Sequence, residues 1–187
     1  MKNFYLIPNT DKPEAVRFSL LVQKYIEEHG GQAVNASHRM MNGHVDPDDV
    51  PAEMECVITL GGDGTIIQAA RDLARLQLPI IGINLGTLGF MAEVSTEQYE
   101  NALDILMNDR HLVDERMMLR GRIYRNHELI YDGLALNDIT LHASGEFRAV
   151  KYELLVNDEH LARYFADGIV ISTPTGSTGY SYDNHGL

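Results

Sequence analysis

The chain has 187 residues, of which 44% are hydrophobic and 22% are charged. These values are ordinary for a globular protein and argue against intrinsic disorder. Fifteen Lys and Arg against 27 Asp and Glu give a net charge of −12, which disfavours non-specific binding to nucleic acid or to an anionic membrane. A single cysteine excludes an internal disulfide, and the longest apolar runs are too short to span a membrane.

The length corresponds to roughly 1.2 average domains, so one or two folding units are expected. Pro8 and a charge cluster follow the first short apolar run, which leaves no room for the apolar stretch of a signal peptide. We therefore expect a cytoplasmic protein that binds neither nucleic acid nor membrane.

The first half of the chain alternates strand and helix signals. Phe4 to Ile7 predicts a strand, and a helix is expected from Pro13, with Thr10 and Asp11 as candidate caps. The apolar face of this helix is predicted to carry Phe18, Leu21, Val22, Tyr25 and Ile26. The Gly30-Gly31 pair ends the helix, and the segment after it is predicted to be a loop.

Two further pairs of elements follow. Strands are predicted over 56–60 and 79–84, and helices over 66–76 and 96–107. This alternation predicts a parallel sheet with helices on its faces.

The pattern changes near residue 116, where the segments shorten. Turn signals at Asn126-His127, Asp132-Gly133 and Asn157-Asp158 predict β-hairpins. We therefore expect an α/β domain over 1–115 and a β-rich domain over 116–187.

The strongest local signal is Gly61-Gly62-Asp63-Gly64-Thr65, which lies between a predicted buried strand and a predicted helix. Glycines allow positive φ and close approach of backbone N–H groups to a ligand, and a helix N-terminus favours phosphate. A carboxylate in such a loop can face a hydroxyl or a magnesium ion. The alternative is a tight turn in which Asp63 caps the helix. A Walker A loop is excluded, because no lysine follows the glycines in the required pattern.

Two other segments carry weaker signals. The loop from Gly82 to Phe90 follows the next strand, and loops at the carboxyl ends of parallel strands converge on one crevice. Ordinary loop glycines are the alternative. In the segment from Asp167 to Tyr180, five of the seven residues over 172–178 carry hydroxyls that can bind sugar or phosphate oxygens. Tyr180 can stack on a base, although the segment taken alone favours a polar turn.

A fourth signal, Asn137-Asp138, places an amide beside a carboxylate. Adjacent strand residues point to opposite faces, so at most one of them faces a ligand unless the chain bulges. A plain turn or an edge-strand pair is the alternative.

In combination and in this order, GGDGT, the INLGTLGF loop, Asn137-Asp138 and STPTGSTGY closely resemble the NAD kinase family, also called inorganic polyphosphate/ATP-NAD kinases. The resemblance implies a Rossmann-like or phosphofructokinase-like domain followed by an incomplete all-β domain. It also implies that ATP or polyphosphate phosphorylates the adenosine ribose 2′-hydroxyl of NAD, giving NADP. Mg²⁺ would be held mainly by the ATP phosphates, and a homo-oligomer, a dimer or a tetramer, is expected.

The resemblance assigns roles to particular residues. Asp63 would accept the proton of the 2′-hydroxyl. The residues implied in binding NAD or ATP are Gly62, Gly64, Thr65, Phe90, Asn137, Asp138, Asp167, Thr175, Thr178, Gly179 and Tyr180. The eight histidines show no metal-ligand spacing, so no protein-held metal is predicted.

Three departures from the family pattern stand out. Asp138 is one methylene shorter than the usual glutamate, and Gly179 replaces the usual alanine. The chain also ends at Leu187, where family members continue with further strands, so a truncation is expected.

Two other readings compete with an active NAD kinase. The first is a fragment that binds NAD or NADP without phosphoryl transfer. The second is a lipid kinase of the diacylglycerol type, against which the acidic charge and the TPTGST loop argue.

Overall fold

The computed structural model describes residues 1–36, 44–86, 89–143 and 149–179. The chain divides into two compact units, Met1–Glu115 and Arg116–Leu187. Within the described ranges, no helix is long and apolar enough to cross a membrane.

The first unit is a parallel sheet covered by helices. Its elements in chain order are β1 (Asn3–Pro8), α1 (Pro13–Glu28), β2 (Gln32–Asn35), β3 (Cys56–Gly61), α2 (Asp63–Asp72), β4 (Ile80–Asn84), β5 (Val94–Ser95) and α3 (Tyr99–Met107). The strand order is β2-β1-β3-β4-β5, with every pair parallel. This arrangement confirms the α/β class predicted from the alternating signals.

Both faces of this sheet are buried, which explains why the interiors of its central strands are apolar apart from Thr59. Successive residues of β1 point to opposite faces. Phe4 and Leu6 pack in a cluster with residues of α1 and α3. Tyr5 and Ile7 pack in a second cluster with residues of α2. The sheet is therefore the middle of three layers, and its strand ends are the places where polar loops emerge.

The start and the apolar face of α1 differ from the prediction. Neither Thr10 nor Asp11 caps the helix, because Lys12 occupies the capping position and makes no side-chain cap hydrogen bond. Leu21 is 55% exposed, whereas Ser19 is buried and its hydroxyl donates to the carbonyl of Val16. That bond within the helix satisfies the hydroxyl, so a polar residue can take the buried position.

The prediction of a loop after Gly31 is wrong for Gln32–Asn35, which form β2. Gly30 adopts a φ of +79° and turns the chain back, so that β2 pairs with β1 along its edge. Only Ala33 of this strand is buried. An edge strand with one buried residue has almost no hydrophobic pattern for sequence reasoning to detect.

The other helices also shift from their predicted bounds. Helix α2 begins three residues earlier than predicted and ends at Asp72, and a separate 3₁₀ turn covers Ala74–Leu76. Helix α3 begins at Tyr99 rather than at residue 96. Boundary residues carry weaker signals than helix interiors, because terminal turns lack half of the intrahelical hydrogen bonds.

The second unit consists of antiparallel strand pairs. Its strands are β6 (Leu119–Arg125), β7 (Glu128–Ala135), β8 (Asp138–His142), β9 (Val150–Val156), β10 (Glu159–Ala166) and β11 (Gly168–Ser172). They pair as β6 with β7, β9 with β10, and β8 with β11. This β-rich unit fits the second half of the predicted fold class.

Two of the three predicted turns are confirmed. Asn126 and His127 join β6 to β7, and Asn157 and Asp158 join β9 to β10, each with positive φ. Two successive positive φ angles match the twist of a two-residue hairpin. Asp132-Gly133 was predicted to be a turn but lies inside β7, where Asp132 bonds to arginines of β6.

Cys56 provides a test of the central sheet. Burial raises the pKa of its thiol to about 12, so the reactive thiolate is absent at mildly alkaline pH. We expect the folded protein to react with a chromogenic disulfide reagent only as fast as the sheet unfolds. Complete reaction in denaturant is the control, and fast labelling without denaturant would contradict the buried position of β3.

Candidate functional site

Three loops of the first unit leave the same edge of the sheet, and two of them are hydrogen-bonded to the end of β3, from which the third begins. After β1, the backbone N–H of Asn9 donates to the carbonyl of Leu60 at 2.8 Å. After β4, the N–H of Leu85 donates to the carbonyl of Gly61 at 3.1 Å. The loops that follow β1, β3 and β4 therefore meet at the carboxyl edge, which is where open parallel sheets bind ligands.

The Asp63 carboxylate lies at the start of α2 and accepts three backbone hydrogen bonds. Its Oδ2 accepts from Phe90 N at 2.8 Å, and its Oδ1 accepts from Met91 N at 3.1 Å and from Ala92 N at 2.9 Å. Gly62, rather than Asp63, occupies the capping position of α2. The alternative in which Asp63 caps its own helix is therefore wrong, because its side chain instead fixes the segment 90–92.

The expectation from sequence that the glycines of GGDGT adopt positive φ is wrong. Among the described glycines, only Gly30 has a positive φ. A Cβ added to Gly62 or Gly64 would meet no atom of the described residues within 4 Å, so the described fold leaves space beside both. A Cβ on Gly61 would instead collide with the Thr65 hydroxyl. The motif thus combines one tightly packed glycine with two that leave room for a ligand.

Two other residues of this edge differ in their exposure. Thr65 is half-buried, and its N–H donates to the carbonyl of Gly62 at 3.0 Å. Phe90 is 58% exposed, although its backbone N–H is held by Asp63. The middle of the INLGTLGF loop, at 87 and 88, lies outside the described residues.

In the second unit, Asn137 precedes β8 and is held by its backbone. Its carbonyl accepts from Thr173 N at 2.8 Å, and a Cβ on Gly176 would collide with that same carbonyl. The Asn137 side-chain Oδ1 is buried and has no hydrogen-bond partner in the described part of the chain. A buried acceptor without a donor is costly, so this oxygen is suited to a donor from a ligand.

The hydroxyls over 172–178 are not all available to a ligand. Thr173 is buried, and its hydroxyl donates to the carbonyl of Leu136 at 2.6 Å while accepting from Gly176 N at 3.1 Å. The Ser177 hydroxyl donates to the carbonyl of Pro174 at 2.7 Å. Thr175 accepts a hydrogen bond from Arg116 at 3.3 Å. These bonds fold the segment into a rigid turn.

The remaining predicted site residues of this unit lie at two ends of one strand pair. Asp138 begins β8 and pairs with Ser172, while Asp167 lies just beyond the opposite end, next to the pair of Gly168 with His142. At about 3.4 Å per residue, the two aspartates are more than ~13 Å apart. Asp138 therefore shares its surroundings with Asn137, and Asp167 does not.

The last three positions follow the same turn. The backbone of Thr178 belongs to a 3₁₀ turn over Gly176–Thr178, and Gly179 N donates to the carbonyl of Gly176 at 3.0 Å. Tyr180, predicted to stack on a base, lies outside the described residues.

Comparison with known proteins identifies the family. The model of the ATP-NAD kinase N-terminal domain matches residues 4–111, and that of the ATP-NAD kinase C-terminal domain matches residues 136–186. The chain belongs to the NAD kinase family. The resemblance seen in the sequence motifs is thus confirmed.

Individual relatives support the same assignment. An NAD kinase from Lachnospira eligens is 39% identical over 187 residues, which cover 97% of this chain and 64% of that protein. An NAD kinase from Geobacter metallireducens is 41% identical over 142 residues, which cover 76% of this chain and 50% of the relative. The matched region therefore spans between one half and slightly less than two thirds of the length of these NAD kinases.

Solved structures show that the fold is shared. A yeast NADH kinase complexed with NADH matches with a TM-score of 0.86 and 21% identity, covering 100% of this chain and 62% of that one. An Archaeoglobus fulgidus NAD kinase in complex with ATP matches with a TM-score of 0.69 and 20% identity, covering 100% of this chain and 66% of that one. Both neighbours support the predicted parallel sheet followed by a β-rich unit.

Sequence reasoning missed two residues that shape these loops. Thr173 was grouped with the other hydroxyl-bearing residues, yet its buried hydroxyl bridges the carbonyl of Leu136 and the N–H of Gly176 by hydrogen bonds. Lys12 was not singled out at all, although it lies in the loop that follows β1. A threonine directly before proline was a usable signal for Thr173, since such a residue is restricted to extended backbone.

Gly89 tests the anchor between Asp63 and the second loop. A Cβ at Gly89 would collide with the Asp63 carboxylate. We expect Gly89→Ala to lower the free energy of unfolding by about 1–3 kcal/mol, measured by urea denaturation. Gly86→Ala is the matched control, because among the described residues its Cβ would meet only Asn84 Oδ1 at 3.8 Å and Lys12 Nζ at 4.0 Å. Equal unfolding midpoints for the two variants would contradict the packing of Gly89 on Asp63.

Proposed function

We propose that this protein transfers the γ-phosphoryl group of MgATP to the adenosine 2′-hydroxyl of NAD, giving NADP and ADP. The observation that carries the proposal is the carboxylate of Asp63 between two open glycines at the start of α2. Membership of the NAD kinase family supports it. Relatives named NAD kinase support it as well.

Asp63 is the proposed proton acceptor. A carboxylate has about four lone-pair sites, and three backbone N–H groups occupy three of them. Oδ1 accepts two of these bonds and Oδ2 accepts one. Oδ2 therefore keeps a site for the hydroxyl of the substrate, and the three bonds hold it in a fixed direction.

The transfer forms one P–O bond and breaks another. The 2′-oxygen bonds to the γ-phosphorus as the bond between this phosphorus and the β,γ-bridging oxygen breaks, and ADP leaves with that electron pair. The hydroxyl proton moves to Asp63. Backbone N–H groups at the N-terminus of α2, beside Gly62 and Gly64, favour the negative charge on the transferred group.

Mg²⁺ enters this proposal as part of the MgATP substrate. Among the described residues, no group of three or more His, Cys, Asp or Glu side chains is placed to hold a metal ion. No step is therefore assigned to a metal held by the protein. Use of polyphosphate in place of ATP is proposed on the family resemblance alone.

Asn137 is the proposed contact for the adenosine half of NAD. Its buried, unpartnered Oδ1 can accept from an exocyclic amine or a ribose hydroxyl. Asp138, Thr175, Thr178, Gly179 and Tyr180 are proposed around the same half, Thr65 near phosphate, and Phe90 near the nicotinamide. Asp167 is proposed as a separate contact to the dinucleotide, since it lies at the far end of the β8–β11 pair.

The cellular setting is proposed on the same resemblance. We place the protein in the cytoplasm as a homo-oligomer, a dimer or a tetramer.

A second candidate function is binding of NAD or NADP without transfer. It is favoured by the second unit, whose described strands pair only two by two and leave large apolar side chains exposed, among them Leu161 at 62% and Phe165 at 72%. A sheet this open stabilises a ligand site poorly. Saturable NAD binding without any NADP formation would favour this candidate.

Substitution of Asp63 tests the kinase function. We expect Asp63→Asn to lower the rate of NADP formation by about 10²- to 10⁴-fold, because the amide cannot take the proton, while NAD binding changes little. The assay uses the natively expressed gene product with MgATP, after its intact mass has been measured.

Glu28→Gln is the control for Asp63, since Glu28 is an exposed carboxylate that pairs with Lys24 on α1. Unchanged turnover in Asp63→Asn would remove Asp63 from the role of proton acceptor. Phosphorylation of diacylglycerol in vesicles, without phosphorylation of NAD, would instead support a lipid kinase.

Substitution of Asn137 tests the adenosine contact. We expect Asn137→Ala to raise the dissociation constant for NAD by about 3- to 10-fold, the range for loss of one hydrogen bond to a neutral group, measured by calorimetry. Stability should change little, because only the backbone of Asn137 is bonded to Thr173. Asn101→Ala, on the exposed side of α3, is the matched control. Unchanged NAD affinity with lower stability would make Asn137 a structural residue.

A further inference from the structure

The loop after β1 brings one basic side chain to the glycine-rich edge. Lys12 Nζ lies 4.0 Å from the point that a Cβ on Gly86 would occupy. Gly86 belongs to the loop that follows β4, and that loop is bonded to Gly61 through Leu85. The Lys12 ammonium therefore reaches across from one loop to its neighbour at the carboxyl edge of the sheet.

The backbone of Lys12 is fixed by several hydrogen bonds. Its N–H donates to the carbonyl of Asn9 at 3.1 Å, and its carbonyl accepts from Ala15 N at 2.9 Å. Asn9 in turn donates to Leu60 and accepts from Asp11 N through its side chain at 3.0 Å. The side chain of Lys12 thus extends from a turn that is hydrogen-bonded both to α1 and to β3.

The charge of Lys12 is not used by the described fold. In the ranges that the structure describes, no carboxylate forms an ion pair with its ammonium, whereas Lys24 on the same helix pairs with Glu28 at 3.6 Å. The one carboxylate of the GGDGT motif, that of Asp63, accepts hydrogen bonds from the backbone of 90–92. The ammonium is therefore available to another anion.

Positive charge is scarce at this edge. The loops over 9–12, 61–65 and 85–93 contain one Lys or Arg, and it is Lys12. The whole chain carries −12. A highly charged phosphate chain can approach such a protein only where backbone N–H groups and a local cation oppose that field.

We propose that Lys12 binds the phosphate chain of the nucleoside triphosphate at this edge. A lysine acts on phosphate as a point charge with three donors, which suits the varied oxygens of a triphosphate. The triphosphate has more unesterified phosphate oxygens than the pyrophosphate of a dinucleotide, which is esterified at both ends, so it offers more acceptors to the only Lys or Arg in the sequence of these loops. The choice of ligand rests on the proposed kinase function, while the cation itself rests on the geometry.

Binding without turnover tests this assignment. Calorimetry on the natively expressed protein uses two probes, MgATP and inorganic tripolyphosphate, without NAD. We expect Lys12→Gln to weaken binding of both by about tenfold or more, since a hydrogen bond to a charged group is lost. Lys12→Arg should restore most of the affinity, because it keeps the charge. Lys24→Gln, an exposed lysine on the same helix, is the matched control and should bind both probes like the unsubstituted protein.

Three results would overturn the assignment. The first is equal affinity of Lys12→Gln and the unsubstituted protein for both probes, and the second is no binding of either probe by the unsubstituted protein. The third is a loss of affinity for NAD alone, measured in a separate titration with NAD, which would show that Lys12 binds the dinucleotide instead. NADP formation is scored separately, so the two proposals fail independently. Lys12-dependent binding of the probes without NADP formation would contradict only the kinase function. NADP formation by Lys12→Gln with an unchanged KM for ATP would contradict only the Lys12 assignment.

Discussion

The geometry of the first unit depends on one carboxylate that accepts three backbone hydrogen bonds. Asp63 sits in the first turn of α2, where a negative charge is favoured by the helix dipole, and its side chain holds the N–H groups of residues 90–92. The segment between β4 and β5 thereby acquires a fixed position without a regular structure of its own. The proposed proton acceptor is thus also a structural anchor of the surrounding loops.

This double role explains why the loops pack as they do. Glycine is required at 89 because the anchored carboxylate fills the space that a side chain would need, and at 61 because Thr65 does. The bond from Leu85 to Gly61 and the bond from Asn9 to Leu60 add two further ties between neighbouring loops. Preorganisation of this kind lets backbone donors face developing charge without rearrangement during a reaction. In the second unit, the buried hydroxyl of Thr173 fixes the turn beside Asn137 in a comparable way.

Much of this arrangement could be predicted from the sequence, and the failures have physical causes. The buried strands β3 and β4 and the two hairpin turns were predictable because burial and positive φ select a narrow set of residues. Strand β2 was not, since its pairing is satisfied by backbone and only Ala33 reaches the core. Asp132 looked like a turn residue, but Arg120 satisfies it across the strand pair through two bonds of 2.7 Å.

The candidate site likewise has features that could be predicted from the sequence and features that could not. The motif residues could be recognised as a group, whereas the partners of Asp63 could not, because they are backbone N–H groups that leave no trace in residue type. Lys12 escaped notice for a similar reason: one lysine after a strand is unremarkable until the fold brings it beside Gly86. Asn137 was predictable as a motif member, but the burial of its Oδ1 depends on its neighbours in space.

Gly64 illustrates a trade-off between stability and activity. It is exposed within the first turn of α2, and no contact with the residues that the structure describes requires the absence of its side chain. A glycine inside a helix costs about 0.5–1 kcal/mol relative to alanine, so this position lowers the stability of the unit. Directed evolution toward higher melting temperature would therefore favour replacement of Gly64 and would fill the space in which phosphate binding is proposed. Selection for thermal stability alone would therefore impair this candidate site first at Gly64, where a side chain is most easily accommodated.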